Sequence, residues 1–422
     1  MAEWLKTNRN NNSTVVPRHD STMKHINNHI KEANILLTTL LIFALAISCK
    51  QKQTSETPPP PEIDTVAEKV PPKDTTYRIS LLFAGDLMQH EDQYKFALKD
   101  DGTYDYSECF QYVKHEIESA DIAVANFETT LAGPPYHGYP NFCSPDKYLV
   151  DCMAAGFDIM LTANNHTCDR RQQGLERTIR VMDSVGIQHL GTYLDTASFE
   201  QNYPLLVEKN GFRIAMLNYT YAINGATVHA PNIVNLIDTT KISIDIEKAK
   251  SMEPDAIIAF MHWGVEYMLE PDAYQKQLAD WLFNKGVTHI IGSHPHIVEP
   301  IEIRTDSITG EKHVLAYSLG NFISNSTRQG TYCGMTIRLD LEKDSTTRIS
   351  NCDYSLYFVT HPPINGHKQF RIYPTTVPDS LLNFHEAHRK HITLDSIRPF
   401  LNEKNKCIYE REVEWNPSLP KL

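Results

Sequence analysis

The chain has no surplus of positive charge, no CxxC pair and no apolar run long enough to span a membrane comfortably. Each absence removes a class of protein. Against 52 aspartates and glutamates stand only 40 lysines and arginines, a formal charge of −12 over 422 residues. Long-range repulsion and the lack of a basic arm exclude a nucleic acid partner. The eight cysteines, Cys49, Cys109, Cys143, Cys152, Cys168, Cys333, Cys352 and Cys407, show no CxxC spacing, so neither a structural zinc ribbon nor a complete disulfide framework is indicated. None of Ser144, Ser293 and Ser318 sits in a G-x-S-x-G elbow, which disfavours a serine hydrolase. A P-loop and a strand-linked GxGxxG are also missing, so a nucleotide-driven ligase is unsupported.

What is present begins with an export pattern. Met23, Lys24 and Lys31 precede an apolar run from Ile35 to Ile47, closed by Ser48 and Cys49. A basic start, a short apolar run and a small residue at the cut make a secretory signal, and a span would need about 20 residues. Ala46-Ile47-Ser48-Cys49 resembles a bacterial lipobox, which makes Cys49 the expected lipidated residue; Met23 is a candidate start. Beyond it, Pro58 to Pro61 and Pro71-Pro72 mark an extended tether. The expected organisation is an export segment over 1–49, a Pro-rich linker over 50–76, a globular domain over 77–345 and a C-terminal extension packed on it over 346–422. The expected location is the bacterial cell envelope, as an exported, membrane-anchored lipoprotein.

From residue 77 onward, apolar runs alternate with amphipathic stretches. YRISLLFAGD, DIAVANFE, DIMLTANNH, RIAMLNYTY, DAIIAFMHWG, THIIGSHPH and HVLAYSLGNF read as buried strands, because their apolar positions are continuous. QQGLERTIRVMDSVG puts Leu175, Ile179 and Met182 on one helical face, and DAYQKQLADWLFNKG does the same with Tyr274, Leu278, Trp281 and Leu282. DYSLYFV and KQFRIYP are candidate strands in the tail. The class is α/β with largely buried sheets.

Six of the runs end in polar clusters: Asp86 with His90, Asn126 with Glu128, Asn165-His166 with Asp169, His262 with Glu266, His294 with His296, and Asn321. Loops at the carboxyl ends of strands in open α/β sheets converge on ligands, so six such ends in one chain point to a single composite site. His, Asp, Glu and Asn donors without thiolates suit one or two divalent ions, Mn, Fe or Zn. Two such ions can clamp an oxyanion and lower the pKa of a shared water, given a bridging carboxylate from Asp86 or Glu128 and imidazoles from His262, His294 and His296. Pro295 restricts how His294 and His296 enter the site. Asp169, three residues after His166, can hold that imidazole as a general acid; it also suits a cap for a helix over 171–185.

GDLMQH, ANFETTL, LTANNHTCDRRQQGLERT, MHWGVEY, GSHPHIVEPIE and YSLGNFI, in that order, resemble the CapA-type family linked to bacterial poly-gamma-glutamate capsule biosynthesis. That family looks like a branch of the calcineurin-like metallophosphoesterases. The resemblance implies a four-layer αββα sandwich of two mixed sheets flanked by helices. It implies Asp86 as the first metal-binding aspartate, His90 as its companion histidine and Asn126 or Glu128 at the bridging position. Asn165 then becomes a ligand, His166 the general acid, and His262, His294 and His296 the later histidines. His90, Glu266 and Asn321 are expected to face substrate. The first motif lacks Asp-x-His spacing, and the second offers Asn-x-Glu in place of Gly-Asp-x-x-Asp. The implied function is metal-dependent hydrolysis of a phosphoester or amide bond in envelope polymer metabolism, and the alternative is a metal- and anion-binding scaffold. Expected partners are an anionic polymer or small phospho-substrate, the membrane through the lipid, and other capsule synthesis subunits.

Overall fold

Strand formation follows the apolar runs, and their alternation decides which face meets which layer. The computed structural model describes residues 76–361, 363–364, 367–405 and 407–415. The expected export segment, Cys49 and the linker up to residue 75 lie outside the described residues. Along the first strand, Tyr77–Met88, the side chains of Ile79, Leu81 and Phe83 enter one core while Leu82 and Ala84 enter another. The next strand, Ile122–Glu128, repeats this, with Ile122 and Val124 on one side and Ala123 and Ala125 on the other. That is the period of two expected when both faces of a sheet are covered.

The first sheet has nine strands, with the order Arg371–Pro374, Thr347–Thr360, Cys333–Lys343, Tyr77–Met88, Ile122–Glu128, Ile159–Leu161, Gln188–Leu190. Asn321–Ile323 and Tyr409–Glu410 pair alongside this path. The second sheet runs Ile301–Thr305, Lys312–Ala316, His289–Ser293, Ala256–His262, Phe212–Thr220, Leu205–Lys209. Its four central strands are parallel and its two edges antiparallel. Phe83 meets Phe260 across the sandwich, ring centroids 5.6 Å apart and edge to face. Helices Thr239–Ser251 and Ala273–Asn284 bury Ile242, Ile246, Leu278 and Leu282 in the core shared by the two sheets. Helices Asp146–Ala154 and Arg171–Val185 bury Leu149, Cys152 and Met182 against the outer face of the first sheet. The four-layer arrangement of two mixed sheets flanked by helices is therefore present. Among the described residues the seven cysteines are free thiols, and no helix is long and apolar enough to cross a membrane.

Two expectations need correction. HVLAYSLGNF is not one strand: Lys312–Ala316 belongs to the second sheet and Asn321–Ile323 to the first, and Tyr317 to Gly320 carries the chain across. Continuous burial on both sides of that turn hides the change of sheet from a pattern reading. Tyr274 is not on the buried face of its helix, being 52% exposed, while Gln275 is fully buried. Gln275 turns inward because its side-chain amide makes two hydrogen bonds and its backbone a third. Its Oε1 accepts from the Asp272 N–H, its backbone N–H donates to Asp272 Oδ1, and its Nε2 donates to Glu299 Oε2 at 2.8 Å.

Glu299 is fully buried, and its second oxygen has no partner among the described residues. Burial pushes its carboxyl up to about 8, against the opposing hydrogen bond from Gln275. The folded state keeps this proton at pH values where the unfolded chain has lost it. Stability from the neutral acid is thus full below the ordinary carboxyl range and drains away as pH rises towards 8, by at most about 1.4 kcal/mol per pH unit. Glu299→Gln should raise the melting temperature at pH 8 more than at pH 5. Parallel pH profiles for the two proteins would contradict this.

Candidate metal centre

Asp86 reaches the inner face of the first sheet through one extra residue. Ala84 pairs with Ala125, but the register then slips so that Asp86 pairs with Asn126. The inserted Gly85 forms a bulge, and without it Asp86 would share the helix-facing side with Ala84. Only glycine fits, because a Cβ there would sit 1.9 Å from the Gly320 carbonyl oxygen, which also accepts from the Asp86 N–H at 3.0 Å. Asp86 is thus inside the strand, which continues to Met88 instead of turning at the Gly-Asp pair. Asn126 and Glu128, two residues apart, share the inner face with it. Asn126 Nδ2 donates to Asp86 Oδ1 at 2.8 Å and to Glu128 Oε2 at 3.1 Å, while its oxygen accepts from Asn164 Nδ2 at 3.2 Å.

The second sheet brings its strand ends to the same place, with Thr220, His262 and Ser293 side by side in register. His262 Nδ1 lies 2.9 Å from Ser293 Oγ and its Nε2 2.8 Å from Asn165 Oδ1. Past Ser293 the chain turns sharply: His294 has φ +99° and His296 φ +60°, with Pro295 between them. A left-handed backbone costs a non-glycine residue roughly 1–2 kcal/mol, and strain of this kind clusters at working sites. The turn puts the His294 ring 4.8 Å from His262 and 4.4 Å from Tyr221, and 5.9 Å from His296. His296 Nδ1 lies 3.2 Å from Asp86 Oδ2 and 3.0 Å from Asn321 Oδ1, and its Nε2 is 3.8 Å from Glu128 Oε1.

The structure therefore brings together Asp86, Asn126, Glu128, Asn165, His262, His294, His296 and Asn321. Glu266 joins His294 and His296 at ligand distance. His166 and Asp169 lie next to this group, linked by His166 Nδ1 to Asp169 Oδ2 at 2.7 Å. Asp169 does not cap the following helix, whose N-cap is Arg170; its Oδ2 accepts from the Phe142 N–H at 2.7 Å. His90 belongs to neither ligand group but is near enough to feel the charges of His296 and His166; its Nδ1 lies 3.2 Å from Gln93 Oε1 and its ring is edge-on to Phe142. Two participants were not read from sequence as site residues. Ser293 orients His262, and Asn224 accepts from Asn165 at 3.2 Å while its amide nitrogen lies 3.4 Å from His166 Nδ1. Asn224 follows the Phe212–Thr220 strand, the one inner strand whose polar end was passed over.

The protonation pattern suits a cation. Burial, then the charge of Asp86, pushes Glu128 well above the carboxylate range. Burial and the neighbouring imidazoles push His262 well down and His294 down to about 3, so both are neutral and able to donate a lone pair. His296 departs the other way: burial depresses it, but Asp86, Glu266 and Asn321 together outweigh that. Glu128 Oε1 and His294 Nδ1 are buried without a hydrogen-bond partner among the described residues. Orphaned acceptors cost about 1–3 kcal/mol each unless something coordinates them. Asp86, Glu128 and His296 offer donor atoms within 4.8 Å of one another, as do Glu266, His294 and His296. The residues fit a divalent metal.

Asn126→Asp removes the bridging N–H donors and sets a third acid against two. The chelated protein should lose stability on the order of 3 kcal/mol, and added divalent metal should restore most of it. Melting curves in chelator and in metal test this, and identical losses in both would contradict it.

Similarity to known proteins identifies the family. The profile of the family described as bacterial capsule synthesis protein PGA_cap matches residues 80–326. The PGA biosynthesis protein CapA of Bacillus subtilis (strain 168) is 25% identical over 359 residues, covering 82% of this chain and 87% of its own. The capsule biosynthesis protein CapA of Bacillus anthracis is 25% identical over 259 residues, covering 58% of this chain and 60% of its own. Among solved structures, Haemophilus influenzae NAD nucleotidase superposes with a TM-score of 0.43 at 12% identity, covering 81% of this chain and 65% of that one. The calcineurin-like phosphoesterase YfkN from Bacillus subtilis superposes with a TM-score of 0.41 at 16% identity, covering 67% of this chain and 91% of that one. The profile match takes in more than half of the chain and every residue gathered at the strand ends, and the chain belongs to the bacterial capsule synthesis protein family PGA_cap.

Proposed function

We propose that this protein is an exported, lipid-anchored metal-dependent hydrolase that cleaves a phosphoester or amide bond in capsule polymer metabolism. The observation that carries this reading is the His166–Asp169 pair. A cluster that only gripped a cation would not need a fourth imidazole beside it, fixed at 2.7 Å by a buried carboxylate. With Nδ1 engaged by Asp169, Nε2 is left to pass a proton to a leaving group. Burial raises the Asp169 carboxyl in spite of its bond to His166.

Asp86, Glu128, His262, His294 and His296 would hold the metal, Mn, Fe or Zn by donor type, with Asn165 and Glu266 at the margin. A bound divalent ion supplies Lewis-acid polarisation of an anionic oxygen and acidifies water. Asn126 keeps the two acids at fixed separation, and Ser293 and Asn165 fix the His262 ring. Second to this stands a scaffold that binds anionic polymer without turnover. Its support is Asn126, which presents its N–H groups rather than an oxygen to the acids.

Metal-replete wild type should hydrolyse a generic phosphoester or a γ-linked glutamate polymer. His166→Ala should lower kcat about 10²–10⁴-fold with metal content unchanged. Wild type without turnover on either substrate, and indifferent to His294→Ala, would leave only the scaffold. For the anchor, Cys49→Ser should move the protein from the membrane to the soluble fraction of the expressing cell. Retention in the membrane would refute lipidation at Cys49.

A further inference from the structure

Away from the strand-end site, a cavity of about 650 Å³ opens where the helix Phe384–Ile392 lies over the end of the Thr347–Thr360 strand. His361, Lys368, His385, His388 and Arg389 line it, with Glu386 as the one carboxylate on its wall among the described residues. That carboxylate is already engaged. Its Oε1 accepts from Thr360 Oγ1 at 2.7 Å, and its Oε2 accepts from the Asn383 N–H at 2.8 Å in the capping box of the helix.

Arg389 is half-buried. Its Nη1 donates to the Val359 carbonyl at 2.6 Å and its guanidinium stacks 5.1 Å from the Tyr332 ring, yet it forms no ion pair among the described residues. Lys368 lies 5.7 Å from the Phe96 ring and is likewise without an ion pair there. The intervening sequence Pro362 to His367 contains no acid. Asp92, whose charge reaches His361, is outside the wall and is held by Asn325 Nδ2 at 3.2 Å. A concentration of unneutralised cations is out of character for a chain of net charge −12. Buried or half-buried cations are normally paired, and an arginine fork matches a carboxylate or phosphate in two-point contact. Burial, followed by Arg389 and Lys368, depresses His361, and the opposing charge of Asp92 is the smaller influence.

We propose that this cavity is a second ligand site, taking an anionic group of the carboxylate or phosphate class anchored by Arg389 and Lys368, with the three histidines as further donors. It stands independently of any hydrolysis at the strand ends.

The test is calorimetric titration of the full-length chain in detergent and chelator with a γ-linked glutamate pentapeptide and, separately, with pyrophosphate. The expected result is saturable binding of at least one probe, weakened tenfold or more in both Arg389→Gln and Lys368→Gln and unchanged in His294→Ala. Which probe binds more tightly separates the carboxylate source from the phosphate source. Arg389 also supports the Val359 carbonyl, so Lys368→Gln decides if Arg389→Gln fails to fold. Absence of saturable binding by either probe, binding indifferent to Lys368→Gln, or binding abolished by His294→Ala would each overturn the proposal. Chelated protein is used throughout, so an inactive strand-end site leaves the result untouched.

Discussion

Asp86 and Glu128 are both fully buried, and one side-chain amide, that of Asn126, reaches from one to the other. Two carboxylates cannot both stay ionised in such a place without compensation, and the surroundings follow from that constraint. Glu128 responds by holding its proton, and His296 by gaining hold of one beside Asp86. His262 and His294 stay neutral first because they are buried, and then because adding their charges would crowd imidazolium against imidazolium. Without metal, the centre is balanced by protons. A divalent ion would take over the same role, which couples its affinity to pH in the direction of tighter binding at higher pH.

Much of this site is legible in the sequence because its donors are His, Asp, Glu and Asn placed where apolar runs stop. Five of the six clusters lie at the carboxyl ends of strands that end together, and the sixth, Asn321, opens a short strand beside them. The pattern cannot say on which side of its strand a residue emerges after a bulge. Gly85 turns Asp86 to the inner face, and that depends on the Gly320 carbonyl, more than two hundred positions away. Nor does Ser-His-Pro-His disclose two left-handed histidines, since proline restricts its own φ and says little of its neighbours'. Whether Asn126 offers oxygen or N–H is settled by which partners surround it, Asn164 on one side and two acids on the other. Periodicity also misplaced Tyr274, because a buried polar network around Gln275 overrides the apolar stripe.

Residues beyond 345 are continuous with the first sheet: Thr347–Thr360 pairs with Cys333–Lys343, which in turn pairs with the strand carrying Asp86. The same tail folds back as the helix Phe384–Ile392 to wall a cationic cavity, so the part of the chain with the weakest pattern supports one site and encloses another. Both depend on pairings between distant segments.

The crossover from Tyr317 to Gly320, which leaves the second sheet to enter the first, bears on how the chain acquires its site. Its Gly320 carbonyl meets Asp86, and Asn321, the next residue, meets His296, which itself lies 210 positions from Asp86. Closing loops of that length has an entropic cost that must be met before the contacts can repay it, and folds dominated by such contacts form slowly. A nascent chain therefore carries only local fragments of the ligand set, such as His294 with His296. The complete centre comes into existence only when the two sheets dock, so a metal that needs the whole donor set would bind after folding and report a finished fold.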